Sequence, residues 1–191
     1  MPETDRVGAA RRILVYGVTG SGKSTLAAAL GRIVGIPATS VDDITWSPGW
    51  VPMPTEEQIA TFDRITRGDA WVLDSAYGSW RDLVVERADV VVALDYPRVT
   101  SLARLLRRTA ARVIDRRTVC NGSQENLRGL FARDSIVLWH FTSFRRKRAQ
   151  MRRLAAAGDG PSVVLLRRPR DAEAFLEQVR EEVAGTGRVT P

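Results

Sequence analysis

Residues 12–25 read RILVYGVTGSGKST. The run Ile13-Leu14-Val15-Tyr16 is short and apolar, the pattern of a buried strand. Gly17-Val18-Thr19-Gly20-Ser21-Gly22-Lys23-Ser24 follows and fits GxxxxGK[ST]. Leu26, Leu30, Ile33 and Val34 then recur at helical spacing. A strand, a glycine loop and a helix in that order are the context in which this motif binds phosphate. Glycines let the backbone curl so that several N–H groups point at one anion. The helix adds its positive end. Gly17, Thr19, Gly20, Ser21, Gly22, Lys23, Ser24 and Thr25 are therefore the expected nucleotide-phosphate set. Lys23 is placed to reach the β- and γ-phosphates, and the Ser24 hydroxyl to hold Mg²⁺.

The rest of the chain alternates strand and helix signals. Ala38–Val41 reads as a short strand ending at Asp42 and Asp43. Thr55-Glu56-Glu57-Gln58 resembles a capping box opening a helix on Ile59, Phe62 and Ile65. Trp71-Val72-Leu73 is a strand ending in Asp74, and a short helix is expected around Trp80–Arg87. Asp89–Asp95 is nearly all apolar, so it is expected to be buried on both faces. A helix with Leu102, Leu105, Leu106 and Val113 follows, then a polar stretch over 114–125 and a helical reading for 127–154 with a break near Asp134. Ser162–Leu166 is a last strand and Asp171–Val183 a last helix. This alternation predicts an α/β fold on a parallel sheet, with ligands at the carboxyl ends of the strands.

Composition narrows the class. The chain has 191 residues and is 44% hydrophobic, enough for one domain with a core. It reads as a short disordered lead over 1–11 and one domain over 12–187. No run of 18 apolar residues occurs, so no membrane span is expected. Cys120 is the lone cysteine, which excludes a disulfide framework and points to a reducing cytoplasm. The net charge of +7 comes almost wholly from arginine, Lys23 and Lys147 being the only lysines. That balance suits phosphorylated ligands or nucleic acid. A guanine-reading NKxD stretch is lacking.

VVVALDYPRVTSLARLLRR (90–108) is similar to the strand–proline–helix segment that leads into the lid of adenylate-kinase-like P-loop kinases. VDDITWSPGW, WVLDSAYGSW, LDYPR and WHFTSFRRKR resemble a bacterial subgroup called topology modulation proteins or adenylate-kinase-related kinases. The likeness covers roughly residues 12–170. It implies a P-loop NTPase three-layer α/β/α sandwich with a five-stranded sheet ordered 2-3-1-4-5. It further implies ATP with Mg²⁺ and an arginine-bearing lid, here about 112–128. One departure concerns the DGxPR pattern of adenylate kinases. Here it is Asp74-Ser75-Ala76-Tyr77-Gly78, which keeps the acid and loses the glycine and arginine.

The candidate residues follow from phosphoryl transfer, which needs an oriented acceptor and a neutralised γ-phosphate. Asp42 and Asp43 leave the second strand, where related kinases place acceptor-binding acids. Asp43 is the favoured base and Asp42 its neighbour in acceptor binding, against an Asx turn as the plain alternative. Trp46 and Trp50 flank Pro48-Gly49 and would wall the acceptor by stacking. Tyr77 and Arg128 are further acceptor candidates. Asp74 is the Walker-type metal acid, or an N-cap, or both. Asp95 reads as structural, and His140 as a packed residue. Arg104, Arg107, Arg108 and Arg112 share a helical face by spacing, with Arg116 beyond. Arg108, Arg112 and Arg116 would meet the transferring phosphate and Arg104 the nucleotide, or all form a solvated face. Arg168 and Pro169 sit where related kinases contact adenine. The run Arg145-Arg146-Lys147-Arg148 with Arg152 and Arg153 is either a solvated face or meets an acceptor phosphate or a nucleic-acid backbone. Two readings result. One is an ATP- and Mg²⁺-dependent kinase of a small acceptor, a monomer or homodimer. The other is a nucleotide-regulated nucleic-acid-binding protein.

Overall fold

A strand buried on both faces sends neighbouring side chains into two different cores. β1 (Arg12–Gly17) does this: Ile13 and Val15 enter one apolar cluster, Leu14 and Tyr16 the other. The computed structural model describes residues 7–49, 51–114, 118–119, 123–124, 136–158 and 160–186. After β1 come α1 (Lys23–Val34), β2 (Ala38–Thr39), α2 (Val41–Thr45), β3 (Trp46–Ser47) and β4 (Val51–Pro52). They are followed by α3 (Thr55–Thr66), β5 (Trp71–Leu73), α4 (Arg81–Arg87), β6 (Val90–Leu94) and α5 (Arg98–Ile114). The short strands β7 (Thr118–Val119) and β8 (Ser123–Gln124) precede α6 (Ile136–Ala157), β9 (Ser162–Leu166) and α7 (Pro169–Gly185).

The main sheet is parallel throughout, in the order β2-β5-β1-β6-β9. Counted among themselves these five strands run 2-3-1-4-5. The ribbons β3–β4 and β7–β8, which the sequence did not announce, shift the running numbers. One cluster holds Leu26, Ala27 and Leu30 of α1 with Phe175 and Val179 of α7. The other holds Phe62 of α3, Val84 and Val85 of α4, and Met151 of α6. The result is a three-layer α/β/α sandwich. From β1 the chain moves first to one side of the sheet and later to the other, so the crevice falls at the carboxyl end of β1. Among the described residues no helix is long and apolar enough to cross a membrane.

Several sequence expectations change. The lead expected over 1–11 is ordered from Val7: Val7–Ala9 is a 3-10 helix, Val7 is buried, and Gly8 N–H donates to Glu182 Oε2 on α7 at 2.9 Å. The second strand stops at Thr39, because Ser40 caps a helix instead of continuing the ladder. Both aspartates therefore sit in the first turn of α2. Thr55 does not cap α3: Pro54 holds that position, and Gln58 uses its amide elsewhere. Gln58 Nε2 donates to Met53 O at 2.7 Å, while its Oε1 accepts from Trp80 Nε1 at 3.1 Å. The long helix expected over 127–154 is described from Ile136 and runs on to Ala157.

Phe62 is fully buried and stacks on Trp80, centroids 3.9 Å apart and planes 9° from parallel. Phe62→Ala should cost about 3–5 kcal/mol, the usual range for emptying such a site. Urea unfolding of the two proteins measures it; a midpoint shift worth under about 1 kcal/mol would mean that α3 does not lock this layer.

Candidate active site at the carboxyl edge of the sheet

The glycine loop leaves β1 and enters α1 through two residues with positive φ, Gly20 at 79° and Gly22 at 97°. A side chain is strained there. At Gly20 there is also no room: a Cβ would stand 2.4 Å from Ser101 O of α5. At Gly17 it would stand 2.8 Å from Ser21 Oγ. Gly22 is the N-cap of α1 and no side chain caps it, which keeps that helix end open to an anion. Ser24 and Thr25 are exposed in the first turn.

Two later helices hold the outside of this loop. Arg104 on α5 donates through Nη1 to Ser21 O at 3.1 Å and lies 5.5 Å over the Tyr96 ring. His140 on α6 is fully buried, with Nδ1 3.0 Å from Thr19 O and Nε2 3.5 Å from Ser101 Oγ. A carbonyl only accepts, so the proton is assigned to Nδ1. Burial lowers the His140 pKa, the Arg98 charge adds to this, and the Thr19 bond opposes both. His140 is thus a neutral brace of the loop, not simply a packed ring. Arg107 turns to solvent, away from the face that Arg104 uses.

Lys23 is half-buried and donates to Val18 O at 3.3 Å. Burial pulls its pKa down; Asp42 and Asp74 push it back up, and Arg108 lowers it further. Asp42, Asp74 and Arg108 therefore lie within electrostatic reach of Lys23. Asp74 is buried and its Oδ1 accepts from Val41 N at 2.9 Å. The helix it holds is α2, which precedes it in sequence, and not the helix that follows. That bond fixes where the first turn of α2 points.

Asp42 is picked out within that turn. Tyr77 donates its hydroxyl to Asp42 Oδ1 at 2.5 Å and accepts from Trp46 Nε1 at 3.0 Å. Burial and the Asp42 charge both raise the Tyr77 pKa, so it stays a donor. Trp46 thus orients the acid through Tyr77. Asp43 gives its backbone N–H to Ser40 Oγ at 3.4 Å, whereas the Asp42 charge bears on both Lys23 and Lys147.

The basic run of α6 is not one solvated face. Arg148 Nε and Arg152 Nε donate to the two oxygens of Asp95 at 2.6 and 2.9 Å, and Asp95 is 1% exposed. Lys147 turns to the site, its Nζ 5.7 Å from the centre of the Tyr16 ring, whose hydroxyl donates to Gln150 Oε1 at 2.8 Å. Burial, then the Lys23 charge, pulls the Lys147 pKa down to about 7; Asp42 resists and Arg146 assists. Arg145 and Arg153 are exposed. Arg168 and Pro169 stand at the N-cap and first turn of α7, with Asp171 Oδ2 accepting from Arg168 N at 2.8 Å. Trp50, Arg116, Arg128 and the side chain of Arg112 lie outside the described residues, as does most of the expected lid.

The donor set suits Mg²⁺. That ion takes one or two protein oxygens and completes its shell with phosphates and water. Asp74 has one oxygen engaged by Val41, and Ser24 is exposed beside Lys23. Among the described residues no cluster of three or more His, Cys, Asp or Glu could hold a metal alone.

With a gluconokinase from Sinorhizobium meliloti 1021 the chain superposes at a TM-score of 0.52, covering 93% of this chain and 98% of that one at 19% identity. The fold is similar to that of a gluconokinase. A sugar kinase from Janibacter sp. HTCC2649 gives a TM-score of 0.48 at 19% identity, covering 91% and 94% of the two chains. A deoxyadenosine kinase from M. mycoides, solved with bound dCTP, gives 0.44 at 11% identity, covering 91% and 97%. No family model matches the chain, and no curated protein matches it.

The sequence reading treated the six cations over 145–153 as one run and did not single out Lys147, and it took His140 as a packed residue without its bond to the loop. The signal was there: His140, Phe144, Lys147 and Met151 fall at spacings of four, three and four, one helical face.

The His140 shift has a sign that can be tested. Its folded pKa lies below the ordinary 6.5, so on acidification the unfolded chain takes the proton first. Its stabilising contribution is complete above 6.5 and is lost as pH falls toward the folded value. Stability should therefore fall between about pH 7 and 5, and His140→Gln should flatten that slope. Urea midpoints across the range decide it; an unchanged slope would mean that His140 is not held neutral.

Proposed function

We propose that the protein is an ATP-dependent kinase that moves the γ-phosphoryl group to a hydroxyl of a small acceptor. The observation that carries this is the convergence of Lys23, Asp42 and Asp74 behind a glycine loop of P-loop sequence. The similarity in fold to a gluconokinase supports the reaction class.

Each residue has a role that its surroundings allow. The loop N–H groups and Lys23 bind the β- and γ-phosphates. Ser24 and Asp74 would hold Mg²⁺, which supplies positive charge against the phosphates. Asp42 accepts a hydrogen bond from the acceptor hydroxyl through an oxygen that Tyr77 does not use. The hydroxyl oxygen forms the new P–O bond as the bond to the ADP oxygen breaks, and its proton passes to Asp42. Tyr77 and Trp46 fix the angle of Asp42. Arg108, beside Lys23, is proposed to meet charge on the transferring group, and Arg168 with Pro169 to border the adenine. The nucleic-acid reading loses its main footing, since Arg148 and Arg152 are bound to Asp95 and Lys147 faces Tyr16.

The test is product formation from Mg²⁺-ATP and a panel of hydroxylated metabolites, read by mass spectrometry. Lys23→Ala should abolish transfer. Asp42→Asn should lower kcat by about 10²–10⁴-fold, the range for a lost general base, with ATP affinity nearly kept. Asp43→Asn should stay within about threefold of wild type, as for a charge outside the reacting set. The opposite pattern at the two aspartates would return the base to Asp43.

A further inference from the structure

α6 brings cations to the side of the loop where an acceptor must lie. Tyr16 is the last β1 residue before Gly17, and its ring belongs to the α3/α4/α6 layer, as does the α2 turn that carries Asp42. Lys147 stands 5.7 Å from that ring. Arg81, at the start of α4, and Arg146 are both near enough to pull on the Tyr16 hydroxyl, whose pKa burial nevertheless raises. Arg81 is paired with Asp82, and Arg146 lies 5.9 Å over Trp139. Lys147 makes no ion pair among the described residues. A desolvated ammonium without a partner is costly, more so beside a second lysine. Asp42, its nearest negative influence, is already held by Tyr77. Such a group is retained where an anion completes it.

We infer that Lys147, with Arg81 and Arg146 beside it, is the binding site for an anionic group on the acceptor, so that the acceptor is a hydroxy acid or a phosphate ester and not a neutral sugar, polyol or nucleoside. The word acceptor rests on the kinase reading; the anion site itself does not. Two anions compete for Lys147, the acceptor's own and the transferring phosphate. Lys23 serves the second from within the loop, whereas Lys147 comes from α6 and stands against the Tyr16 ring.

Calorimetry on the full chain separates these sources. The probes are D-gluconate, 3-phosphoglycerate and inorganic phosphate, set against D-glucitol and glycerol, each with and without a non-hydrolysable ATP analogue and Mg²⁺. At least one anion should bind about tenfold or more tighter than its neutral counterpart, the scale of a charged hydrogen bond. Lys147→Met should remove about that factor while the ATP analogue keeps its affinity within about twofold. Lys147→Gln is the second variant; both should fold, since each removes an unpaired charge, and thermal melting checks this. At pH 8 binding of the anion should also take up a proton, visible as a buffer-dependent heat, because burial, then the Lys23 and Arg146 charges against that of Asp42, hold the free amine near 7, while Arg81 and Asp82 face the neighbouring Tyr16 hydroxyl. Lys147→Met should abolish that heat.

Three binding results overturn the inference: no anion binds the wild type, anion and neutral probe bind alike, or Lys147→Met weakens the ATP analogue as much as the anion. The last would give Lys147 to the nucleotide. Transfer to a neutral alcohol, with no anion bound, sinks this inference and leaves the kinase. Anion binding without transfer to any probe supports it and counts against the kinase.

Discussion

A buried carboxylate held between two guanidinium groups places the helix on which the site depends. Asp95 leaves β6 at the carboxyl edge, almost without solvent, and receives Arg148 and Arg152 from α6. Losing both guanidinium groups would leave a bare charge inside, a change that commonly costs about 3–5 kcal/mol. The two bonds fix α6 in both height and rotation. From that setting His140 reaches Thr19 O, Lys147 reaches Tyr16, and Gln150 accepts the Tyr16 hydroxyl. Each of these contacts touches the phosphate loop or the strand that feeds it.

The loop is therefore supported from outside as well as shaped from within. Its glycines allow the curl, and Ser101 O behind Gly20 leaves space for nothing larger. Arg104 and His140 occupy two of its outward carbonyls. Ser21 N–H closes the turn on Val18 O at 3.2 Å. The cost appears on the inner side, where Lys23 and Lys147 are both desolvated and repel one another. A site of this kind is preorganised for negative charge: phosphates relieve a repulsion that the fold alone sustains.

What the sequence disclosed was what short range determines. The strand, loop and helix over residues 12–34 are contiguous, and their pattern is local. The apolar runs gave four of the five sheet strands to within a residue at each end, while the second runs two residues shorter than its pattern. Choosing between Asp42 and Asp43 was beyond it. Neighbours on a helix point about 100° apart, and the rotation of α2 is set by Asp74, over thirty residues later. Thr55 illustrates the opposite fault: a good local capping pattern gave way when Met53 O and Trp80 offered Gln58 two partners in the core. The basic run over 145–153 was ambiguous for a simpler reason. Arg148 and Arg152 look like surface charge until their partner, fifty residues earlier, is known.

The most direct test is a crystal structure with Mg²⁺ and a non-hydrolysable ATP analogue. The account predicts the β- and γ-phosphates over the loop N–H groups, with Lys23 on the γ-phosphate and the Asp42 carboxylate facing it across a space the size of a hydroxyl. A triphosphate seated elsewhere on the chain, or an Asp42 turned away while Asp43 faces the γ-phosphate, would contradict it.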